Sequence, residues 1–412
     1  EITISNYDQT LNQINTSRFN LPKLELRAAD LDKVIELKDK LIFISNSMNK
    51  KKGIRNIYAQ IFSKNSNTVS EAKIIASYPI ESYSKSGQIA VNYSENKSQF
   101  VVLANMPFVK KTKEKIKTWI FDADLNEIWS ASNDLSLDSQ RSHDQDVHIT
   151  NSGDVYLVKR YKYNSKKAIS NIIVINANGI EETSISQEGF YLRKTTLVNI
   201  GTEELIAGFY VNSKVPRVDN NSEEGNETSG VFLYSIAQTK LLGKHDFDFS
   251  NSKNLKSLEP IYVNVLGDDI IIVAEKQTYT SKFRGQTTDL DYFYNYGPSV
   301  VINLDTKGTL KSFNYLDNSI NLKNDSNERG SISAISLNGG LKLFYNKSNL
   351  RIASYFDSEK TSHTGIKTKA KNEESGYTSY ISPKSLETVR DYNLAYFVST
   401  NGKQFWINKL TW

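Results

Sequence analysis

The most informative stretch of this 412-residue chain reads Ile172-Ile-Val-Ile-Asn176-Ala-Asn178-Gly179. A second β-type segment, 181–187, follows it directly. A run of β-branched residues ends in Asn, which tolerates the left-handed conformation and caps tight turns, and a second run then returns. This pattern predicts an antiparallel hairpin whose turn lies at residues 176–179.

The same hairpin recurs along the chain. A second copy begins Ser299-Val-Val-Ile-Asn303-Leu-Asp305-Thr-Lys-Gly308, and a third begins Thr118-Trp-Ile-Phe-Asp122-Ala-Asp124-Leu-Asn126. A fourth copy, at 231–249, lacks the glycine. Another pair of β-type runs precedes each hairpin, so the repeating unit is four antiparallel strands, A to D in chain order.

Units of this kind recur at about 31–83, 87–137, 144–189, 190–250, 258–317 and 330–390. Repetition of four-stranded units predicts an all-β protein, a β-propeller of six or seven four-stranded blades. We expect a single domain over 1–412, with 1–30 as an N-terminal extension or ring-closing segment and two further strands in the tail 392–412. The alternative is a pair of two-sheet sandwiches, which the single class of repeat and the lack of a Pro/Gly/Ser-rich linker disfavour. The segment 24–41 fits either a helix or strands.

Composition excludes several kinds of chemistry. The chain has no Cys, which removes disulfides, thiolate metal sites and cysteine nucleophiles. A net charge of +5 gives no indication of nucleic-acid binding, and no apolar run approaches the roughly 18 residues that a membrane helix needs. No GxSxG, GxxxxGK, GxGxxG or HExxH motif occurs. The sequence therefore predicts no catalytic residues, no cofactor, no nucleic-acid partner and no transmembrane segment.

Clusters of possible metal ligands have structural interpretations. In His143-Asp-Gln-Asp146-Val-His148, alternate residues 144, 146 and 148 would share one face of a strand, but three ligands from one strand rarely converge on one ion. Asp122-Ala-Asp124-Leu-Asn126 resembles the start of a calcium loop but lacks the glycine and the final glutamate of that loop. We expect a strand start and a hairpin turn instead, and no metal. The acidic segment 219–227 is typical of a mobile loop, or of a metal or partner contact.

The segment 289–298 is the most unusual part of the sequence. It reads Asp-Leu-Asp-Tyr-Phe-Tyr-Asn-Tyr-Gly-Pro, and it closes an insertion, 277–298, between strands B and C of the fifth unit. We predict an aromatic connection that binds a partner, because aromatic residues are enriched at the centres of interfaces. The residues concerned are Tyr279, Phe283, Arg284, Tyr292, Phe293, Tyr294 and Tyr296. The alternative is that these aromatics fold back and cover a sheet edge.

The first three B–C connections are rich in basic residues. They span 49–55, 109–117 and 159–167 and contain 14 Lys and Arg against one acidic residue. In an antiparallel meander these connections lie on one side of the sheets, so we predict a positive partner-binding patch. Its central residues are Lys50, Lys51, Lys52, Lys110, Lys111 and Lys113. The alternative is a set of scattered, solvated hairpin tips.

Taken together, the chain resembles the exported propeller-like proteins of flavobacteria, within the Bacteroidota. The resemblance rests on the hairpins that end at Gly179 and Gly308, on the Cys-free, Asn/Lys/Tyr-rich composition, and on the start at Glu1. That start favours cleavage of an export signal, or trimming of the chain. The group includes the plug subunit of the type IX secretion translocon, which closes the periplasmic end of an outer-membrane channel. The resemblance implies a periplasmic or outer-membrane-associated location but transfers no site residue.

We therefore expect a non-catalytic, exported propeller that binds a protein partner. The alternative is a glycan-binding or glycan-cleaving propeller, because 23 Tyr supply surfaces on which sugars can stack. A glycan-cleaving enzyme needs two carboxylates, an acid and a base or nucleophile. The candidates on predicted A strands are Glu36, Asp146 and Glu259.

Overall fold

The structure is a computed structural model. It describes all of the chain except residues 9, 25–26, 83, 108, 139–143, 165–166, 186–189, 213–227, 248–254, 256–257, 285–288, 324–329, 338–339, 348–349, 357–360, 366–379, 390–393, 401–404 and 412. The chain divides into two compact units, unit 1 (Glu1–Glu188) and unit 2 (Gly189–Trp412). In the described residues every regular element is a β-strand.

Unit 1 begins with two small hairpins and continues with three blade-like sheets. The hairpins are β1 (Ile2–Tyr7) with β2 (Gln13–Phe19), and β3 (Lys23–Leu24) with β4 (Arg27–Ala28). The first sheet has the order β5 (Asp30–Leu37), β6 (Lys40–Asn49), β7 (Ile54–Ser63), β8 (Thr68–Val69), with β9 (Lys73–Pro79) also paired to β7. The second is β10 (Gln88–Tyr93), β11 (Gln99–Asn105), β12 (Lys113–Asp122), β13 (Glu127–Asp138). The third is β14 (Asp144–Ile149), β15 (Val155–Asn164), β16 (Lys167–Asn176), β17 (Gly179–Ser184).

Unit 2 contains four sheets among its described residues. The first is β18 (Tyr191–Ile200), β19 (Glu203–Val211), β20 (Gly230–Ser235), β21 (Lys240–Asp246). The next is β22 (Leu258–Leu266), β23 (Asp269–Phe283), β24 (Leu290–Asp305), β25 (Leu310–Leu316), with β26 (Ile320–Lys323) also paired to β24. Then follow β27 (Ile332–Leu337), β28 (Gly340–Lys347), β29 (Leu350–Phe356), β30 (Thr361–Gly365), and last β31 (Tyr380–Val389), β32 (Leu394–Thr400), β33 (Phe405–Thr411).

Within each unit the sheets pack face to face, as propeller blades do. Alternate residues of β11 enter two different cores: Phe100 and Val102 belong to one, and Val101 and Leu103 to the other. In unit 2, Ile272 and Val273 of β23 are divided between two cores in the same way. A strand buried on both faces reads as a continuous apolar run, which explains why the inner runs of the sequence do not alternate.

Asp side chains fix the predicted turns. In the β12–β13 turn, Asp122 Oδ1 accepts hydrogen bonds from the backbone N–H groups of Asp124 (2.8 Å) and Asn126 (2.9 Å). In the β24–β25 turn, Asp305 Oδ1 accepts from Lys307 (2.9 Å) and Thr309 (2.7 Å). The side chain thus replaces backbone partners that the turn leaves unpaired, the usual reason for Asp in turns.

The all-β class and the blade arrangement are confirmed, and the described residues of 24–41 form strands and no helix. The last predicted unit, 330–390, is wrong in its boundary. Strand β31 (Tyr380–Val389) pairs with the tail strand β32 and not with β30. The break between them, 366–379, contains no β-type run, so the sequence carried the correct signal. The blade number of six or seven, the single domain and the ring-closing role of 1–30 stay predictions.

Candidate functional site

The aromatic insertion is a β-hairpin and not a loop. Strands β23 and β24, with 15 and 16 residues, run through it in one continuous antiparallel register from Gln277↔Tyr296 to Phe283↔Leu290. The prediction that these aromatics fall in a connection and not in strands is therefore wrong. Residues 277–283 and 290–296, together with β26, are called the aromatic hairpin below.

The aromatic hairpin continues beyond the neighbouring strands of its sheet. Pairing with β22 ends at Lys276, and pairing with β25 ends at Ser299. A register shift between Glu275 and Gln277 separates the blade from the extension. Among the described strands, the short strand β26 is the one that pairs with the extension from outside the hairpin, as in Tyr294↔Leu322.

One face of the aromatic hairpin is a stack of tyrosines. Tyr279 lies opposite Tyr294, with ring centroids 5.0 Å apart, and its ring stacks on that of Tyr292 at 6.0 Å with an angle of 12°. Tyr279 is 52% exposed, Tyr292 39% and Phe283 69%. Three large aromatics thus face solvent together, whereas exposed apolar residues elsewhere are normally single.

The opposite face carries charge. Phe293 lies between two ammonium groups, Lys282 Nζ at 5.8 Å and Lys323 Nζ at 5.6 Å from the ring centroid. Asp291 is buried and accepts from Arg284 Nε at 3.0 Å, and it pairs with Lys323 at 2.8 Å. The predicted aromatic group is therefore split: Phe293 lies on the basic face and the tyrosines lie on the other.

Tyr296 anchors the aromatic hairpin and is not exposed. It is 5% exposed, and a Cβ added to Gly330 would lie 1.8 Å from its ring. Burial, with the neighbouring Glu275 and Tyr294, raises the pKa of Tyr296 to about 12. Of the aromatics predicted to bind a partner, this one instead holds the extension against the blade.

The sequence prediction missed β26 and Lys282. The signal for the hairpin was available, because residues 278–283 and 290–296 are rich in Tyr, Phe and Thr and are separated by a short segment that contains Gly285. The pairing of β26 (Ile320–Lys323) with β24 was not visible in the sequence, because β25 lies between these two strands along the chain.

The basic connections are only partly exposed. Lys50, Lys51 and Lys52 at the β6–β7 turn, and Lys110, Lys111 and Lys113 before β12, are exposed as predicted. Three other members of the predicted set are not: Arg55 is 8% exposed, Lys159 is fully buried, and the Arg160 side chain is 11% exposed. Arg55 lies within β7, and Lys159 and Arg160 lie within β15. Lys159 and Arg160 are consecutive and point to opposite faces of the sheet, and both side chains are enclosed. The 14-residue positive patch is therefore smaller than predicted.

Two of the buried cations are ion-paired within unit 1. Lys159 pairs with Glu114, which lies on the neighbouring sheet and whose side chain is 7% exposed. Arg160 Nη1 donates a hydrogen bond to Asp146 at 3.0 Å. Asp146 on β14 is therefore ion-paired with an arginine of the adjacent strand, β15. Among the described residues no group of three or more His, Asp or Glu has a metal-binding arrangement. His143 and the segment 219–227 lie outside the described residues.

The carboxylates proposed for glycan chemistry are ion-paired. Burial raises the pKa of Glu36, but hydrogen bonds from Lys64 and Lys97 outweigh it and lower the pKa below its ordinary value. Glu259 faces Lys194 at 3.6 Å in a cavity of about 200 Å³ between β18 and β22. A general acid needs a raised pKa, and these environments do not provide it for Glu36.

Comparisons with known proteins identify no family. No protein-family model and no curated protein matches the chain. Among solved structures, a polysaccharide lyase is similar with 8% identity and a TM-score of 0.41, over 96% of this chain and 92% of that one. The β-propeller domain of the trilobed protease from Pyrococcus furiosus is similar with 10% identity and a TM-score of 0.39, over 93% and 95%. An oligogalacturonate lyase in complex with manganese has 10% identity and a TM-score of 0.38, over 90% and 86%. At such identities no activity is carried over from these proteins.

In the part of the chain that the structure describes, no helix is long and apolar enough to span a membrane.

Proposed function

We propose that this chain is a non-catalytic, protein-binding propeller whose docking surface is the aromatic hairpin. The observation that carries the proposal is the exposure of Tyr279, Phe283 and Tyr292 on one ordered face. A side chain on a paired strand loses little conformational freedom on binding, so its apolar area contributes to affinity with less entropic cost. Tyr is also enriched among the residues that dominate interface energies.

The basic residues add a second element to the proposal. The exposed lysines at 50–52 and at 110, 111 and 113 produce a positive potential on unit 1. Such a potential speeds encounter with an acidic partner and is screened within about 8 Å at physiological salt. In this proposal the lysines raise the rate of association with the partner, and the aromatic hairpin provides most of the affinity.

The sharpest form of the proposal is export and the closure of an outer-membrane secretion channel at its periplasmic end. Its support is the compositional resemblance to exported flavobacterial propellers. Fractionation of the source cells tests the location. Recovery in the cytoplasmic fraction would refute the secretion-channel proposal but would not contradict the proposed docking surface.

The test of docking is a binding comparison between matched variants. The triple variant Tyr279→Ser, Phe283→Ser, Tyr292→Ser removes the exposed aromatics. The control replaces Tyr93 and Tyr315, which are 37% and 40% exposed outside the aromatic hairpin, by Ser. Partners that co-purify from native membranes are identified, purified and measured against each variant.

We expect the triple variant to lose about 30-fold or more in affinity, since loss of one hot-spot residue alone costs about 2 kcal/mol. The control variant should bind like the wild type, and both should melt within a few degrees of it. Equal affinity of the triple variant and the wild type would refute the docking surface.

A glycan-binding role is the second candidate. The nearly parallel rings of Tyr279 and Tyr292, at 12°, form the kind of aromatic platform on which a sugar ring stacks. Binding to a glycan array that the triple variant loses, with no protein partner recovered, would favour this candidate over the first. Release of new sugar ends from a bound glycan would contradict the non-catalytic assignment.

A further inference from the structure

We infer that the outer edge of strand β23, at residues 277–283, accepts an extended segment of the protein partner as an added β-strand. This inference rests on the proposed function, because it states how the partner engages the aromatic hairpin. Strand addition gives affinity through main-chain hydrogen bonds and specificity through alternate side chains.

The edge at 277–283 has no strand beside it among the described residues. On its inner side it pairs with β24, from Gln277↔Tyr296 to Phe283↔Leu290. On its outer side the neighbour β22 ends its pairing at Leu258↔Lys276, immediately before the extension. Seven residues at about 3.3 Å each give an edge of roughly 23 Å, enough for a typical strand.

The register shows which backbone groups point outward. Arg284 N–H donates to Asp289 O at 2.8 Å, so position 284 bonds inward to β24. In an antiparallel ladder, inward-bonded residues alternate with outward-pointing ones. Positions 282, 280 and 278 therefore also bond inward, whereas the N–H and C=O groups of Gln277, Tyr279, Ser281 and Phe283 point outward. These outward groups are the hydrogen-bonding pattern that an added strand requires.

The two faces of the edge define the chemistry of the partner segment. On one face the added strand would lie beside Tyr279 and Phe283, which are 52% and 69% exposed. On the other face it would lie beside Lys282, which is exposed and whose ammonium lies 5.8 Å from the Phe293 ring centroid. Asp291 is opposite Lys282 in the register, but it pairs with Arg284 and Lys323, so three cations stand against one carboxylate on this face. A complementary segment alternates apolar residues with Asp or Glu over about seven positions.

The lysine has a second consequence for specificity. Charged side chains, especially Lys, on an exposed edge disfavour pairing between two identical edges, since like charges would then be brought together. Lys282 thus disfavours self-association through this edge while it attracts an acidic segment. The occupant inferred here is a different protein, and not a second copy of this chain.

The test uses proline to remove one outward N–H. In the full chain, Ser281→Pro deletes an outward donor and leaves the ladder to β24 intact, because proline is tolerated on edge strands. Ser281→Ala controls for the loss of the hydroxyl. Thr280→Pro is the contrasting variant, since position 280 bonds inward and its loss disrupts the aromatic hairpin itself. Thermal melting identifies any variant that fails to fold.

The probe is a phage-displayed library of random 12-residue peptides, selected on the wild-type chain. We expect enriched peptides that alternate apolar and acidic residues, bind Ser281→Ala like the wild type, and bind Ser281→Pro at least tenfold more weakly. Failure to enrich such peptides, or equal binding to Ser281→Pro when that variant melts like the wild type, overturns the inference.

Amide hydrogen exchange, resolved to single residues, gives a measurement that needs no variant. In the free chain we expect slow exchange at 278, 280 and 282 and fast exchange at 279, 281 and 283. On peptide binding, 279, 281 and 283 should become protected by at least tenfold. Protection confined to other positions contradicts strand addition, and concentration-dependent protection without peptide would identify a second copy as the occupant instead.

The outcomes separate this inference from the proposed function. If binding depends on Tyr279, Phe283 and Tyr292 but not on the N–H of Ser281, docking stands and strand addition fails. If binding depends on neither set, both fail.

Discussion

His148 makes the stability of unit 1 dependent on pH between neutrality and pH 4. It lies on β14 opposite Tyr156 and is 8% exposed. Burial lowers the pKa of His148 to about 4; the nearby Asp146 raises the pKa and Arg160 lowers it further. In the unfolded chain the pKa is near its ordinary value of 6.5.

The sign and size of the effect follow from linkage. Below pH 6.5 His148 is protonated in the unfolded chain, whereas in the folded chain it stays neutral down to about pH 4. The contribution of neutral His148 is therefore complete above pH 6.5 and is lost as the pH falls to about 4. The loss is about 2 kcal/mol at pH 5 and about 3 kcal/mol at pH 4, from the linkage relation with the two pKa values.

The assay compares the wild type with His148→Gln, which cannot titrate in this range. Urea unfolding at pH 7, 5 and 4 is followed by tryptophan fluorescence, with Trp406 and Trp412 replaced by Phe so that only Trp119 and Trp129 of unit 1 report. Carboxylates away from this site titrate alike in both proteins, so the difference between the two pH profiles reports His148 together with its interaction with Asp146. We expect the free energy of unfolding of the wild type to fall by about 3 kcal/mol more than that of the variant between pH 7 and 4. Parallel profiles would refute the reasoning.

Three further predictions concern packing and charge. Glu114→Gln leaves Lys159 buried without its counter-charge and should lower the free energy of unfolding of unit 1 by about 3 kcal/mol in the urea assay. The double replacement Glu114→Leu, Lys159→Met removes both charges and should restore most of that stability. Gly308→Ala should destabilise unit 2 by about 1–3 kcal/mol more than Gly179→Ala destabilises unit 1, by calorimetry. Both glycines have positive φ, but a Cβ at Gly308 would meet the backbone N of Gly243 at 2.6 Å, whereas nothing lies within 4 Å of a Cβ at Gly179. Reversal of Lys50, Lys52, Lys111 and Lys113 to Glu should slow partner association at low salt far more than at high salt, with an unchanged melting temperature. A salt-independent rate in both proteins would show that these lysines are solvated hairpin tips.

The aromatic segment shows why local patterns predict a surface but not its shape. Its tyrosines and its position between two strands were visible in the sequence, and both directed attention to a recognition surface. What the local pattern did not show is a third strand, Ile320–Lys323, which pairs with β24 although β25 lies between them in the sequence. The alternation of side chains along β24 places Phe293 on one face and Tyr294, which lies opposite Tyr279, on the other.

Most strands, their hairpins and the turns could be predicted from the sequence, because they depend on interactions between residues only a few positions apart. The Asp at 122 and at 305 caps its turn through its own side chain, and the β-branched runs before them favour strands. The tertiary structure decided which lysines and arginines are exposed. Lys50 and Lys159 occur in equally basic stretches, but the first lies at a turn and the second points between two sheets toward Glu114. The free energy of a charge depends on the solvent and the counter-charges around it, and those are supplied by residues distant in the chain.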